Sequence, residues 1–210
     1  MAVKTKVQPE EKTKKGKKGK RGRCFLKALL VIVVLIALAA AASFVASKIT
    51  NGGNRKKLEQ IETVQYVDRI EPTVDAFGNV SFVTDRDLKV MQLTDVHIGG
   101  GWMSGKKDAM AINAVAAMVT AEKPDLVIVT GDVAYPVPFQ AGTLNNKTSA
   151  KLFADLMERL GVYWTLVFGN HDTELYSFYS RETMGKFYSG GDYPHCLFKT
   201  GPEDVDGVGN

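Results

Sequence analysis

Hydrophobic residues fall along this chain in two different rhythms. Ala28–Ala46 (ALLVIVVLIALAAAASFVA) runs for nineteen residues without a charge. A helix buried in a soluble domain is seldom apolar on every face. At 1.5 Å per residue this one would be about 28 Å long, close to the roughly 30 Å hydrocarbon core of a bilayer. The run predicts a single transmembrane helix. Ala40-Ala41-Ala42 also loosely meets the small-residue pattern of a signal-peptide cleavage site, so removal as a signal is the rival reading. The long basic flank and the length of the apolar run weigh against it.

The second rhythm begins at residue 88. Leu88–Leu93 alternates like a strand, and Lys106–Glu122 carries Ala, Met and Val at helical spacing with Pro124 just past its end. Leu126–Val129 is a short apolar run of the kind covered on both faces of a parallel sheet. Thr148–Leu160 sets Leu152, Phe153, Leu156, Met157 and Leu160 on one stripe, with Gly161 placed to cap the helix, and Tyr163–Phe168 reads as a third strand. The order β-α-β-α-β predicts an α/β fold with a parallel sheet and right-handed crossovers. Upstream, the polar, glycine-rich Thr50–Asn54 reads as a break. Residues 47–87 are therefore expected to be a linker with a β-hairpin, its arms around Val64/Tyr66 and Val80/Phe82 and its turn at Asp75–Asn79.

Charge divides the chain in the same place. Residues 1–27 hold eleven of the 27 Lys and Arg residues and two acids, whereas the remaining residues are mildly acidic. Only Lys48, Arg55, Lys56 and Lys57 closely follow the apolar run, so the positive-inside rule puts residues 1–27 in the cytoplasm as a basic tail. Residues 28–46 then form the span of a single-pass cell-membrane protein, with the following domain extracytoplasmic. The tail lacks aromatic residues for base stacking and adjoins the span. It is read as a topology signal that contacts anionic lipid, not as a nucleic-acid-binding segment. With 45% apolar and 24% charged residues the chain is neither disordered throughout nor collagenous, and two cysteines make no disulfide framework.

Each predicted strand of the second region runs into a polar cluster: Thr94-Asp95-Val96-His97, Thr130-Gly131-Asp132 and Gly169-Asn170-His171-Asp172. In a parallel sheet these clusters share one edge, where open α/β folds bind their ligands. Two of the three histidines in the chain lie in them. Carboxylate, imidazole and amide oxygen suit Mn, Fe or Zn better than copper(I), and paired ions can clamp both oxygens of a phosphoryl displacement. The bland alternative makes Asp95 and Asp132 caps or turn residues and His171 a core histidine.

Asp95-x-His97, Gly131-Asp132 and Gly169-Asn170-His171-Asp172 stand in the order of the calcineurin-like metallophosphoesterases, which residues 88–210 resemble. The resemblance implies a metallophosphoesterase-type α/β sandwich and hydrolysis of a phosphate-ester substrate by metal-bound hydroxide. It implies two transition-metal ions (Mn, Fe or Zn): Asp95 and His97 bind one, Asp132 bridges both, and Asn170 binds the second. His171 would contact the phosphate and protonate the leaving oxygen, with Asp172 orienting its ring. Gly131-Asp132-Val133-Ala134-Tyr135 is also similar to the Gly-Asp-x-x-Tyr motif of purple acid phosphatases, in which the tyrosine binds iron. That subgroup has glycine where this chain has His97, so Tyr135 is read as a pocket wall. The family's closing Gly-His-x-His element does not occur, and His195 is read as structural or exposed. Residues 88–210 are accordingly expected to be a partial domain, weak or inactive alone. Two other readings remain: a non-catalytic relic or binding module, or a second chain supplying the missing histidines. The P-loop-like Gly100-x-x-x-x-Gly105-Lys106 has Lys107 where a magnesium-binding hydroxyl belongs, and Gly99–Gly101 are read instead as letting the backbone pass close to the metals.

Overall fold

The aliphatic run is helical in the computed structural model, which describes residues 16–201. It lies in α1 (Gly16–Leu58), the one helix among the described residues long and apolar enough to cross a membrane. The chain divides into two units at Ala42/Ser43. In the first, the side chains from Phe25 to Leu38 are exposed, as an apolar helix without a protein partner would be. Of the basic tail at residues 1–27, residues 1–15 lie outside the described residues and the remainder, from Gly16, belongs to α1.

The second unit corrects the linker reading. Residues 50–54 do not break the chain; they continue α1 to Leu58. Ser47, Asn51, Asn54 and Leu58, spaced four, three and four apart, are all buried, whereas Gly52 and Gly53 face open space. Two exposed glycines cost a helix about 1 kcal/mol each relative to alanine. Tertiary contacts along the buried stripe offset that cost, so local composition misleads here. The hairpin exists, with a different first arm. β1 (Pro72–Val74) pairs antiparallel with β2 (Val80–Phe82) across Asp75–Asn79. Val64 and Tyr66 are outside it: Val64 is buried and its N–H donates to Leu160, while the Tyr66 hydroxyl donates to the Pro124 carbonyl.

The main sheet has the order β3 (Val90–Leu93), β4 (Leu126–Val129), β5 (Tyr163–Leu166), all parallel. Its register fixes the architecture of the site. Leu93 pairs with Val129 and Val129 with Leu166, so the three strands end level and their following loops leave from one edge. Between the strands run α2 (Gly105–Glu122), the short α3 (Pro138–Ala141) and α4 (Asn146–Leu160); α5 (Arg181–Ser189) follows β5. The α4 stripe behaves as its spacing predicts. Leu152, Phe153, Leu156, Met157 and Leu160 are fully buried, each contributing about 1.5–3 kcal/mol of apolar transfer. Gly161 ends the helix in the left-handed conformation, at φ 68°.

Candidate metal centre

The polar clusters at the strand ends are held by unusual backbone. Asp95, His97 and Asp132 all have positive φ (54°, 53° and 55°), a region that asparagine, aspartate and histidine tolerate better than other non-glycine residues. Such conformations cost free energy and persist where the surroundings impose them. Here the surroundings are hydrogen bonds between loops: Asp95 N–H to the Gly131 carbonyl, His97 N–H to the Asp132 carbonyl, and Ile98 N–H to the Val133 carbonyl. The third loop joins through a buried carboxylate. Asp172 accepts the N–H groups of Asp132 (2.9 Å), Ala134 (2.8 Å) and Gly169 (2.9 Å). Burial pushes its carboxyl above the usual range; the three amides oppose the shift and the nearby Asp132 charge adds to it.

This scaffold brings His97, Asp132 and His171 together, with one donor atom from each within 4.8 Å of the others. Asp132 Oδ1 accepts the His171 N–H at 2.9 Å, and a side chain on Gly169 would overlap that carboxylate, which is why glycine stands there. His97 Nε2 is cut off from solvent and has no hydrogen-bond partner. Asp95 Oδ1 and Asp132 Oδ2 approach it at 3.4 and 3.7 Å, longer than hydrogen bonds. The Tyr135 ring stacks on His97 with centroids 4.7 Å apart and meets His171 edge-on.

Two comparisons bear on what this edge is. The family model for calcineurin-like phosphoesterases matches residues 88–207. The chain belongs to that family. It is also 30% identical over 145 residues to the Arabidopsis thaliana protein named "Probable inactive purple acid phosphatase 14", covering 61% of this chain. The chain spans about a third of that relative's length. No solved structure matches it.

The residues of this edge suit a metal ion. Buried polar atoms in folded proteins are nearly always bonded, and an unbonded imidazole nitrogen facing two carboxylates beyond hydrogen-bond reach belongs to a His/Asp group that could hold a cation. Nitrogen and carboxylate donors match the Mn, Fe and Zn preference of the sequence reading. The site differs from that reading in three ways. His171, expected to contact the phosphate and protonate the leaving oxygen, also lies within the tight donor group. Asp95 stands beside it, its Oδ2 taken by the Thr94 hydroxyl at 2.6 Å, and Asn170 is exposed at the rim. Asp172 does not orient the His171 ring, because its carboxylate is occupied by backbone amides. That place belongs to Glu174, whose Oε1 lies 2.7 Å from His171 Nδ1. The sequence held one signal for it: Glu174 is three residues past His171, a spacing at which side chains meet in a helical turn.

Three further expectations can be compared with the structure. Tyr135 lines the site as a wall. His195 pairs with Glu158 through Nδ1 at 2.6 Å, far in sequence from the three clusters. Gly99–Gly101 are required by protein neighbours. Side chains there would collide with Ser104, Ser149 and Ala141, so these glycines serve the packing of their own loop.

Proposed function

We propose that this chain is a metal-dependent phosphoesterase whose ions are held at the ends of β3, β4 and β5. The observation that carries the reading is the orphaned His97 Nε2 within the His97/Asp132/His171 group. His97 and Asp132, with Asp95 beside them, would hold one ion, and Asp132 with Asn170 a second. Metal ions there would supply Lewis acidity toward phosphate oxygens and water. The chain's own groups do the rest. Glu174 engages Nδ1 of His171 and so leaves Nε2 as the ring position able to carry a proton to a leaving oxygen. Tyr135 closes one side of the site against bulk water. Asp172 keeps the second and third loops in register through its three amide contacts.

Two observations favour a second reading. The Arabidopsis thaliana relative is named as probably inactive, and residues 1–210 contain no Gly-His-x-His element. On that reading this chain binds metal without turnover or hydrolyses slowly by itself, and a further histidine donor comes from elsewhere. The length and apolarity of Arg23–Leu58 support placement in the cell membrane as a single-pass protein. The excess of bases before the span supports a cytoplasmic N-terminus touching anionic lipid and an extracytoplasmic catalytic part.

Calorimetric titration of the full chain in detergent with Mn²⁺ and Zn²⁺, followed by hydrolysis of an aryl phosphate, tests the proposal. Two bound ions with turnover support the enzyme, and binding without turnover supports the second reading. No metal bound by the wild-type chain, or equal binding by Asp132→Asn, removes the metal centre altogether.

A further inference from the structure

The sequence leaves Ser47, Asn51 and Asn54 without a role, and the structure buries all three, to 8%, 8% and 4% exposure. Polar side chains in mid-helix are buried at a cost unless bonded. Each of the three makes one bond to the same place, the loop that follows His97, while Asn51 Oδ1 has no partner. Asn51 Nδ2 donates to the Gly100 carbonyl at 2.7 Å and Asn54 Nδ2 to the Gly105 carbonyl at 3.3 Å. Ser47 Oγ accepts the Trp102 N–H at 3.2 Å. One turn earlier, Ser43 Oγ donates to the Gly142 carbonyl and accepts the Trp102 indole N–H.

The loop's other bank is Asp108, fully buried, which accepts the N–H groups of Gly99 (2.8 Å) and Gly100 (3.0 Å) and the Ser104 hydroxyl (2.8 Å). Gly100 is thus gripped from both sides, its N–H by Asp108 and its carbonyl by Asn51. The approach is too close for side chains: at Gly105 one would overlap Thr50. From Gly100 the restraint passes back along the chain without slack. Ile98 donates to Val133 and accepts from Tyr135, and His97 N–H donates to Asp132. His97 itself sits at φ 53°, a conformation that needs an external hold.

We propose that Asn51 is a positioning residue for the metal centre: with Ser47 and Asn54 it forms a polar clasp on α1 that holds the Gly99–Gly105 loop and thereby sets His97. Its bearing on affinity rests on the metal-centre reading; the clasp itself does not. The test uses the full chain in detergent, with Asn51→Ala and Ser47→Ala against Tyr66→Phe, which deletes a side-chain hydrogen bond to Pro124 outside the loop. Hydrogen exchange across residues 97–105 and Mn²⁺ titration are the readouts. Asn51→Ala should speed exchange in that segment selectively and weaken Mn²⁺ binding about tenfold, the low end for losing an outer support of a ligand. Should Asn51→Ala not fold, Ser47→Ala must show the same local loosening on a smaller scale. Exchange that rises evenly over the domain, as in Tyr66→Phe, or a Ser47→Ala loop indistinguishable from wild type, overturns the proposal. A wild-type chain that binds no Mn²⁺ defeats the metal-centre reading alone, because the exchange comparison still decides whether the clasp exists.

Discussion

The two ends of the main sheet are built from the same residue types and are paired in opposite ways. At the starting end, Asp125 takes two hydrogen bonds from the Arg86 guanidinium (2.7 and 2.8 Å) and one from the Lys89 N–H. Glu158 accepts from Trp164 Nε1 and from the His195 backbone and pairs with the His195 ring. Both of these acids have a basic partner, Arg86 and His195, as well as neutral donors. At the finishing end Asp95 and Asp132 have neutral donors, the Thr94 hydroxyl and the His171 N–H, and the base that faces them, His97, stands 3.4 and 3.7 Å away with its Nε2 unbonded. Saturated pairs of this kind stabilise a fold. A convergent set left incomplete does not, and three of the four positive-φ residues other than glycine among the described residues, Asp95, His97 and Asp132, lie there, the fourth being Lys123 at the end of α2.

The largest expected effect comes from removing the group that makes the unsaturated end rigid. Asp172→Ala strands three buried amides and should cost about 3–5 kcal/mol, as breaking a buried charged network does. Thermal unfolding should then fall by roughly 6–20 °C, at 2–4 °C per kcal/mol for a chain of this size. An unchanged melting temperature would show that the loops are held by something else. Next is Asp132→Asn. Asparagine tolerates φ 55° and its Oδ1 can still accept the His171 N–H, so the fold should survive while Mn²⁺ affinity drops by more than about 100-fold. The mirror change, Glu158→Gln, should do the reverse: a melting loss of a few degrees with metal affinity intact. If both variants lost metal equally, the contrast between the two ends would be void.

Glu174→Gln is a finer cut. It keeps the size and a hydrogen bond to His171 Nδ1 but removes the carboxylate that orients the ring. Its expected effect is about a tenfold loss of kcat with KM and melting temperature unchanged, less than the roughly 10²–10⁴-fold of a whole general acid because the imidazole stays in place. A change in KM alone would move Glu174 from proton transfer to substrate binding.

How much of this was legible in the sequence depends on the range of the forces involved. The level strand ends followed from apolar runs of similar length, so the meeting of Asp95, His97, Asp132 and His171 at one edge could be read from pattern alone. Partner choice could not. Asp172 and Glu174 are both acids near His171, and only the close approach of the second and third loops shows that Asp172 is consumed by amides. Thr50–Asn54 failed for a related reason. Its glycines and asparagines disfavour a helix locally, and the hydrogen bonds that reverse this come from residues about fifty positions away.

Acid titration gives the smallest effect and sets the two ends against each other directly. The Arg86 hydrogen bonds hold the Asp125 carboxyl below its ordinary value, against the opposing effect of burial. The unfolded chain therefore takes up a proton first as pH falls. Asp125 contributes stability above the ordinary carboxylate range, and that contribution is lost on acidification through its lowered value. Asp108, beside the His97 loop, is shifted upward by burial, with the Gly99, Gly100 and Ser104 donors opposing. Its folded form keeps a proton that the unfolded chain has released, so its contribution to stability declines as pH rises from the ordinary value through the raised one. Urea midpoints of the full chain between pH 3 and 7 should reflect both slopes. Asp125→Asn should flatten the loss at the acid end, and Asp108→Asn should lessen the decline above it. Were Asp125→Asn to leave the acid limb unchanged, the pairing at the starting end of the sheet would not be what stabilises it, and the finishing end would lose its reference.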